Sequence, residues 1–138
     1  MSAAPKFLDI FDAYATDETA EVEGRWFPIG ARGRVKVART GNSRYNELFK
    51  KKVEDKQLDL QDGGPAAEQL AEQILIEVQA ATILLDWQDL GFQGEAVVYS
   101  QDMAKTMLGV KDFRRKINAL ADSFENFRVK REEQQGNA

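Results

Sequence analysis

The sequence predicts a mainly α, α+β single domain, with four to five helices and a β-hairpin near the N-terminus. Three observations carry this. Apolar residues recur at helical spacing in several segments, most cleanly from Ala67 to Leu85. The segment Arg34-Val35-Lys36-Val37-Ala38 alternates polar and apolar directly after a glycine-rich turn. The whole chain has 138 residues, a length that fits one domain and buries a real core without metal or disulfide staples.

Taken in order, Phe7-Leu8-Asp9-Ile10-Phe11 is a short apolar run, and its periodicity allows a strand or a helical turn. Val22 to Ile29 reads as extended, because Trp26 and Phe27 favour strands, and Pro28 confines it to an edge. Gly30-Ala31-Arg32-Gly33 supplies the turn, which places a hairpin near 22–39 with one wet face. Thr40-Gly41-Asn42-Ser43 breaks the strand and offers Asn42 or Ser43 as an N-cap. Tyr45, Leu48, Phe49 and Val53 then give an amphipathic helix over 43–56, with Lys50-Lys51-Lys52 on its outer face.

Asp62-Gly63-Gly64-Pro65 is a loop whose proline suits the first turn of the next helix. That helix keeps one apolar face for about five turns, through Leu85. Gly91-Phe92-Gln93-Gly94 ends the region, and Val97-Val98-Tyr99 reads as a short extended piece. Ser100 caps a helix with Asp102 in its first turn, Met103, Ala104, Met107 and Leu108 on its face, and Gly109 at its end. The last helix starts near Lys111 and carries Phe113, Ile117, Leu120, Ala121, Phe124 and Phe127 on one side. The domain is expected over 1–131, with 132–138 a flexible polar tail.

Composition narrows the function. There is no cysteine, which excludes disulfide frameworks, thiolate zinc sites and cysteine nucleophiles. Histidine is also absent, which removes Ser-His-Asp and Cys-His catalysis and the commonest metal ligand. A non-enzyme without cofactor or metal is the expectation. No apolar run reaches membrane-spanning length, and the N-terminus lacks a signal-like layout, so no membrane association or export is expected.

The net charge of −4 hides a block structure. Residues 1–24 carry −5, 25–56 carry +7, 57–110 carry −8 and 111–138 carry +2. The basic block sets Arg25, Arg32, Arg34, Lys36, Arg39, Arg44 and Lys50 to Lys52 among Trp26, Phe27 and Tyr45, a composition suited to phosphates and stacked bases. The sequence pI of about 5.0 argues against nucleic acid, and the acidic block is available to neutralise the basic one within the fold or across a self-association contact.

Asp86, Asp89 and Glu95 flank Trp87, but their spacing fits no cation-binding loop, and solvated acids at a helix end are the expected reading. Arg114-Arg115-Lys116 opposes the dipole of a helix starting at Lys111. Either the helix runs through from Ser100, or these charges face an acidic partner or solvent, offset by Asp112. Trp26 and Trp87 are expected as core anchors, and as partner hot spots if exposed.

Two stretches together resemble phage tail assembly chaperones. Arg25-Trp26-Phe27-Pro28-Ile29, followed by Arg34 through Tyr45, is similar to that family's extended segment leading into an Asn-bearing turn and a basic helix. Ile83-Leu84-Leu85-Asp86-Trp87-Gln88-Asp89-Leu90 follows as a helix ending in Asp-Trp. Then come Gly94-Glu95, Val97 to Ser100, Ala104 to Leu108, Phe113, Ile117, Ala121 and Asn126-Phe127, in the layout of chaperones from long noncontractile-tailed phages. The resemblance implies a non-enzymatic protein of the host cytoplasm, missing from the finished virion. Such a protein binds the tape measure protein, keeps it soluble and recruits tail tube (major tail) subunits. A frameshifted longer form and self-association are further implied possibilities.

Arg34, Lys36, Arg39, Arg44, Asp86, Trp87, Asp89 and Glu95 are the candidate partner-binding residues. The alternatives are a head–tail connector that stays in the virion and a small nucleic-acid-binding protein using residues 25–56.

Overall fold

A computed structural model describes residues 6–130. Its element order is α1 (Ile10–Tyr14), α2 (Glu18–Glu23), β1 (Arg25–Ile29), β2 (Gly33–Val37), α3 (Ser43–Asp55), α4 (Gln57–Gln61), α5 (Gly64–Thr82), β3 (Leu84–Gln88), β4 (Gly91–Phe92), β5 (Glu95–Ala96), α6 (Gln101–Leu108), α7 (Lys111–Asp122) and a 3₁₀ turn (Phe124–Phe127). The fold is α+β, as the sequence predicts, with the N-terminal hairpin and the four longer helices in their expected places. The additional helices α1, α2 and α4 are five or six residues long. The expected tail at 132–138 lies outside the described residues.

Local capping explains several boundaries. The Asn42 side chain accepts from the Tyr45 N–H at 3.0 Å and starts α3, and Ser100 accepts from the Met103 N–H at 3.0 Å and starts α6. Gly24 ends α2 at φ 82° and ψ 167°, a region essentially reserved for glycine. A Cβ there would also sit 3.1 Å from the Val37 carbonyl carbon.

The sheet corrects the sequence reading at one place. β1, β2 and β3 form an antiparallel three-stranded sheet in that order. The long helix therefore ends at Thr82, not Leu85, and Leu84–Gln88 is a strand rather than a helix end. The physical reason lies in β2, whose second edge needs backbone partners inside a buried core. The Ala38 N–H donates to the Ile83 carbonyl at 2.9 Å, and Ile83 and Leu84 are fully buried once the chain extends there. Helical spacing in the side chains could not register that demand.

Two smaller differences share this character. Extended backbone at Ser123 ends α7 before Phe124, and Phe127 enters the core from the 3₁₀ turn instead of from the helix. The extended piece expected at Val97–Tyr99 is displaced upstream, with β5 at Glu95–Ala96.

The core joins Val35, Val37, Ile83, Leu84 and Trp87 of the sheet region to Ala104, Met107, Leu108, Ile117 and Ala121 of α6 and α7. Trp87 and Tyr99 clamp it. The Trp87 indole N–H donates to the Val97 carbonyl at 2.8 Å, and the Tyr99 hydroxyl donates to the Leu84 carbonyl at 2.8 Å. Their rings meet edge to face at 4.8 Å.

The charge blocks meet inside the fold. Lys52 of α3 pairs with Glu77 of α5 at 2.9 Å, and Arg39 pairs with Glu21 of α2 at 2.7 Å. Arg114 pairs with Glu72 at 3.4 Å and donates to the Leu108 carbonyl at 3.0 Å. Its charge thus serves the C-terminal end of α6, where a cation is favourable, and the break at Gly109–Val110 separates α6 from α7.

Burial, then the nearby Asp86 charge, raises the Tyr99 hydroxyl above its ordinary value of 10.0. Only the neutral phenol donates to the Leu84 carbonyl, so this contribution is complete below the unfolded value and is lost as pH rises through the folded one. Tyr99→Phe is expected to cost about 1–3 kcal/mol by leaving a buried carbonyl unpaired. It should also flatten the alkaline limb of stability, read from urea midpoints against pH; an unchanged midpoint contradicts the clamp.

The hydrogen bond from Lys52 holds the Glu77 carboxyl below its ordinary value of 4.5. The pair's stabilisation is present above the unfolded value and lost as pH falls through the folded one. Both side chains are partly solvated, so Lys52→Met should cost at most about 1 kcal/mol at neutral pH and reduce the acid-limb slope. Thermal midpoints of both proteins from pH 3 to pH 7, at roughly one-unit steps, check this; parallel curves contradict it.

Candidate functional site

Strand alternation decides which predicted residues face outward. Val35, Val37 and Trp87 point into the core, so their neighbours point away from it. Register then builds two rows across the outer face of the sheet. Trp26, Lys36 and Asp86 form one row, and Pro28, Arg34 and Gln88 the other. The Arg34 guanidinium lies 5.3 Å from the centroid of the Trp26 ring, a cation–π contact. Lys36 sits directly across from Asp86, close enough for favourable cross-strand interaction, although neither Lys36 nor Arg34 forms an ion pair within 4 Å among the described residues.

The rim of this face comes from the segment after β3. Asp89 adopts φ 56°, a left-handed conformation that aspartate tolerates better than most residues. It turns the chain into the small β4–β5 hairpin, whose two-residue loop Gln93-Gly94 also has positive φ at both positions. Leu90 packs against the turn of the first hairpin so closely that a Cβ on Gly33 would fall 2.5 Å from its Cδ2. That contact brings Arg32 beside Asp89 and Glu95 in one shallow depression.

The predicted residues therefore separate into three groups. Arg34, Lys36 and Asp86 share the outer sheet face, with Asp89 and Glu95 at its rim. Arg39 and Arg44 lie beyond the other end of β2, beside α2; Arg39 is committed to Glu21, while Arg44 is exposed near Glu18 and Glu23. Trp87 is a correction. It is 5% exposed and hydrogen-bonded through its indole, so it anchors the core beneath the face and presents no surface for a partner. Asp86 accepts from the Trp87 N–H at 2.8 Å, which occupies a backbone donor on this outer strand.

Sequence reasoning missed Gln88 as a member of the face and Arg32 as a neighbour of Asp89 and Glu95, because their placement depends on strand register and on the Leu90–Gly33 packing. Trp26 was singled out, but its role as the platform for Arg34 needed the hairpin pairing. Among the described residues, no group of three or more acidic side chains could hold a metal ion, and no helix is long and apolar enough to cross a membrane.

Comparison with known proteins adds a family. The model of the YdaY prophage protein family matches residues 40–137, from the turn before α3 onward. No curated protein and no solved structure matches the chain significantly. The family match covers well over half of the chain, and the protein is accordingly a member of the YdaY prophage protein family, of phage origin.

Proposed function

We propose that the protein is a tail assembly chaperone that binds the tape measure protein, keeps it soluble and recruits tail tube subunits, acting without catalysis in the host cytoplasm. The observation that carries this reading is the outer sheet face, where Trp26, Arg34, Lys36 and Asp86 stand together on a three-stranded antiparallel support. Phage origin and the resemblance of the 25–127 region to tail assembly chaperones support it.

A tape measure protein is long and helical, so alone it exposes alternating apolar and charged stripes. A face with one aromatic platform and charges of both signs can cover such a stripe in a defined orientation. Charges of this kind contribute more to encounter rate and direction than to raw affinity, which suits a partner that must later be released. Arg39 has a smaller part in this reading, since Glu21 already holds it, and Arg44 forms a separate exposed cation.

Co-expression with the tape measure protein of the same phage tests the proposal. A soluble complex that co-purifies is expected, and Arg34→Glu with Lys36→Glu should reduce recovery at least about tenfold without unfolding the chaperone. Glu95→Lys at the rim should have a smaller effect. A tape measure protein that stays insoluble beside the folded chain, with any frameshifted longer product also supplied, overturns the reading. Detection of the protein in purified virions favours a head–tail connector, and a salt-dependent DNA or RNA shift favours a nucleic-acid-binding protein.

A further inference from the structure

We propose that Asp62 is a self-modifying site, at which the Asp62-Gly63 link rearranges to isoaspartate through a cyclic imide. The inference goes beyond the proposed function and does not rest on it. Asp62-Gly63 is the sole Asp-Gly pair of the sequence, which contains no Asn-Gly. Glycine matters because a Cβ on the following residue would crowd the attacking nitrogen, and glycine has none.

The surroundings leave the pair free to react. From Gln57 to Ala66 every residue except Leu60 is exposed. The Asp62 carboxylate forms no hydrogen bond or ion pair among the described residues. Asp62 closes α4 at φ −64° and ψ −21°. A five-membered ring instead keeps Cβ and the Gly63 nitrogen nearly eclipsed across the Cα–C bond, so closure needs ψ to leave the helical range. Little opposes that turn. α4 has five residues, none of them buried, and no side-chain cap at its start. The Gly63 N–H donates to the Leu60 carbonyl at 3.3 Å, longer than the usual range. Gly63 and Gly64 take φ 67° and 77°, and a Cβ at either would meet nothing within 4 Å, so the chain pivots in open space. Segments tied this lightly open without the rest of the fold.

The Gly63 nitrogen attacks Cγ of the un-ionised carboxyl and forms an N–Cγ bond. The carboxyl hydroxyl takes the amide proton and departs as water. Water then adds to the imide. Attack at the former main-chain carbonyl breaks its bond to nitrogen and leaves Gly63 joined through Cγ; attack at Cγ restores aspartate. Solvent water is the only co-reactant, and the net change adds one methylene to the main chain at constant mass. Asp122-Ser123 is held differently. Asp122 sits in the last turn of the twelve-residue α7 beside the fully buried Ala121, and Ser123 carries a Cβ. The lengthened link lies before Ala67, the first buried residue of α5, so the core is untouched.

Purified protein kept at neutral pH, well below its thermal midpoint, tests this. Peptide mapping with electron-transfer fragmentation, and labelling by an isoaspartate-specific methyltransferase, read the product. Isoaspartate is expected first at Asp62, preceded by a species lighter by one water, while the thermal midpoint stays unchanged. Asp62→Glu would need a six-membered ring, which closes far less readily, and should lose the label. Isoaspartate that appears first at Asp122 or at any other residue, or label that survives Asp62→Glu, overturns the proposal. An Asp62 that stays unmodified until the protein is denatured overturns it as well, because α4 would then protect the link.

Discussion

Trp87 and Tyr99 hold the strand Leu84–Gln88 in place from beneath, and much of the surface is arranged by that grip. The Trp87 indole is tied to the Val97 carbonyl, the Tyr99 hydroxyl to the Leu84 carbonyl, and the two rings pack on each other. With the strand fixed, Trp87 has to point inward, so Asp86 and Gln88 have to point outward. The mixed-charge face follows from this alternation: Lys36 finds Asp86 across the ladder, and Arg34 finds Gln88 on one side and the Trp26 ring on the other. A core constraint thereby becomes a surface pattern.

Charge is divided between internal and external uses. Arg25, Arg39 and Lys52 of the basic block are drawn to Asp17, Glu21 and Glu77, joining the hairpin to α2 and α3 to α5. Arg34 and Lys36 remain on the sheet, without ion pairs among the described residues. Surface pairs contribute little to stability, so this arrangement has more consequence for recognition than for folding. Under the proposed function, unpaired cations set at defined points would orient a long helical partner.

Much of the fold was legible in the sequence, and the reasons differ by element. Asn42 and Ser100 announce their helices because a short side chain can satisfy a free N–H within one turn, a purely local event. The alternation at Arg34–Ala38 is legible because one face of the strand is buried and the other wet. The third strand was not, since Ile83 to Leu85 continue a helical apolar stripe, and only the open edge of β2 draws them out of it. The site divides along the same line. Arg34, Lys36 and Asp86 could be named from charge and position. The inward turn of Trp87, the pairing of Arg39 with Glu21 and the nearness of Arg32 to Glu95 depend on register and on distant packing.

The central claim is that partner contact occurs on the outer sheet face above a tryptophan that stays buried. Fluorine NMR of the protein carrying 5-fluorotryptophan at its two tryptophans addresses this directly, with Trp26→Phe assigning the signals. In the free protein, the Trp26 resonance should respond to the solvent isotope and the Trp87 resonance should not. On binding the tape measure protein, the Trp26 signal should shift and lose that sensitivity while Trp87 changes little. A complex that forms with the Trp26 signal unmoved would contradict the account and place the contact elsewhere on the molecule.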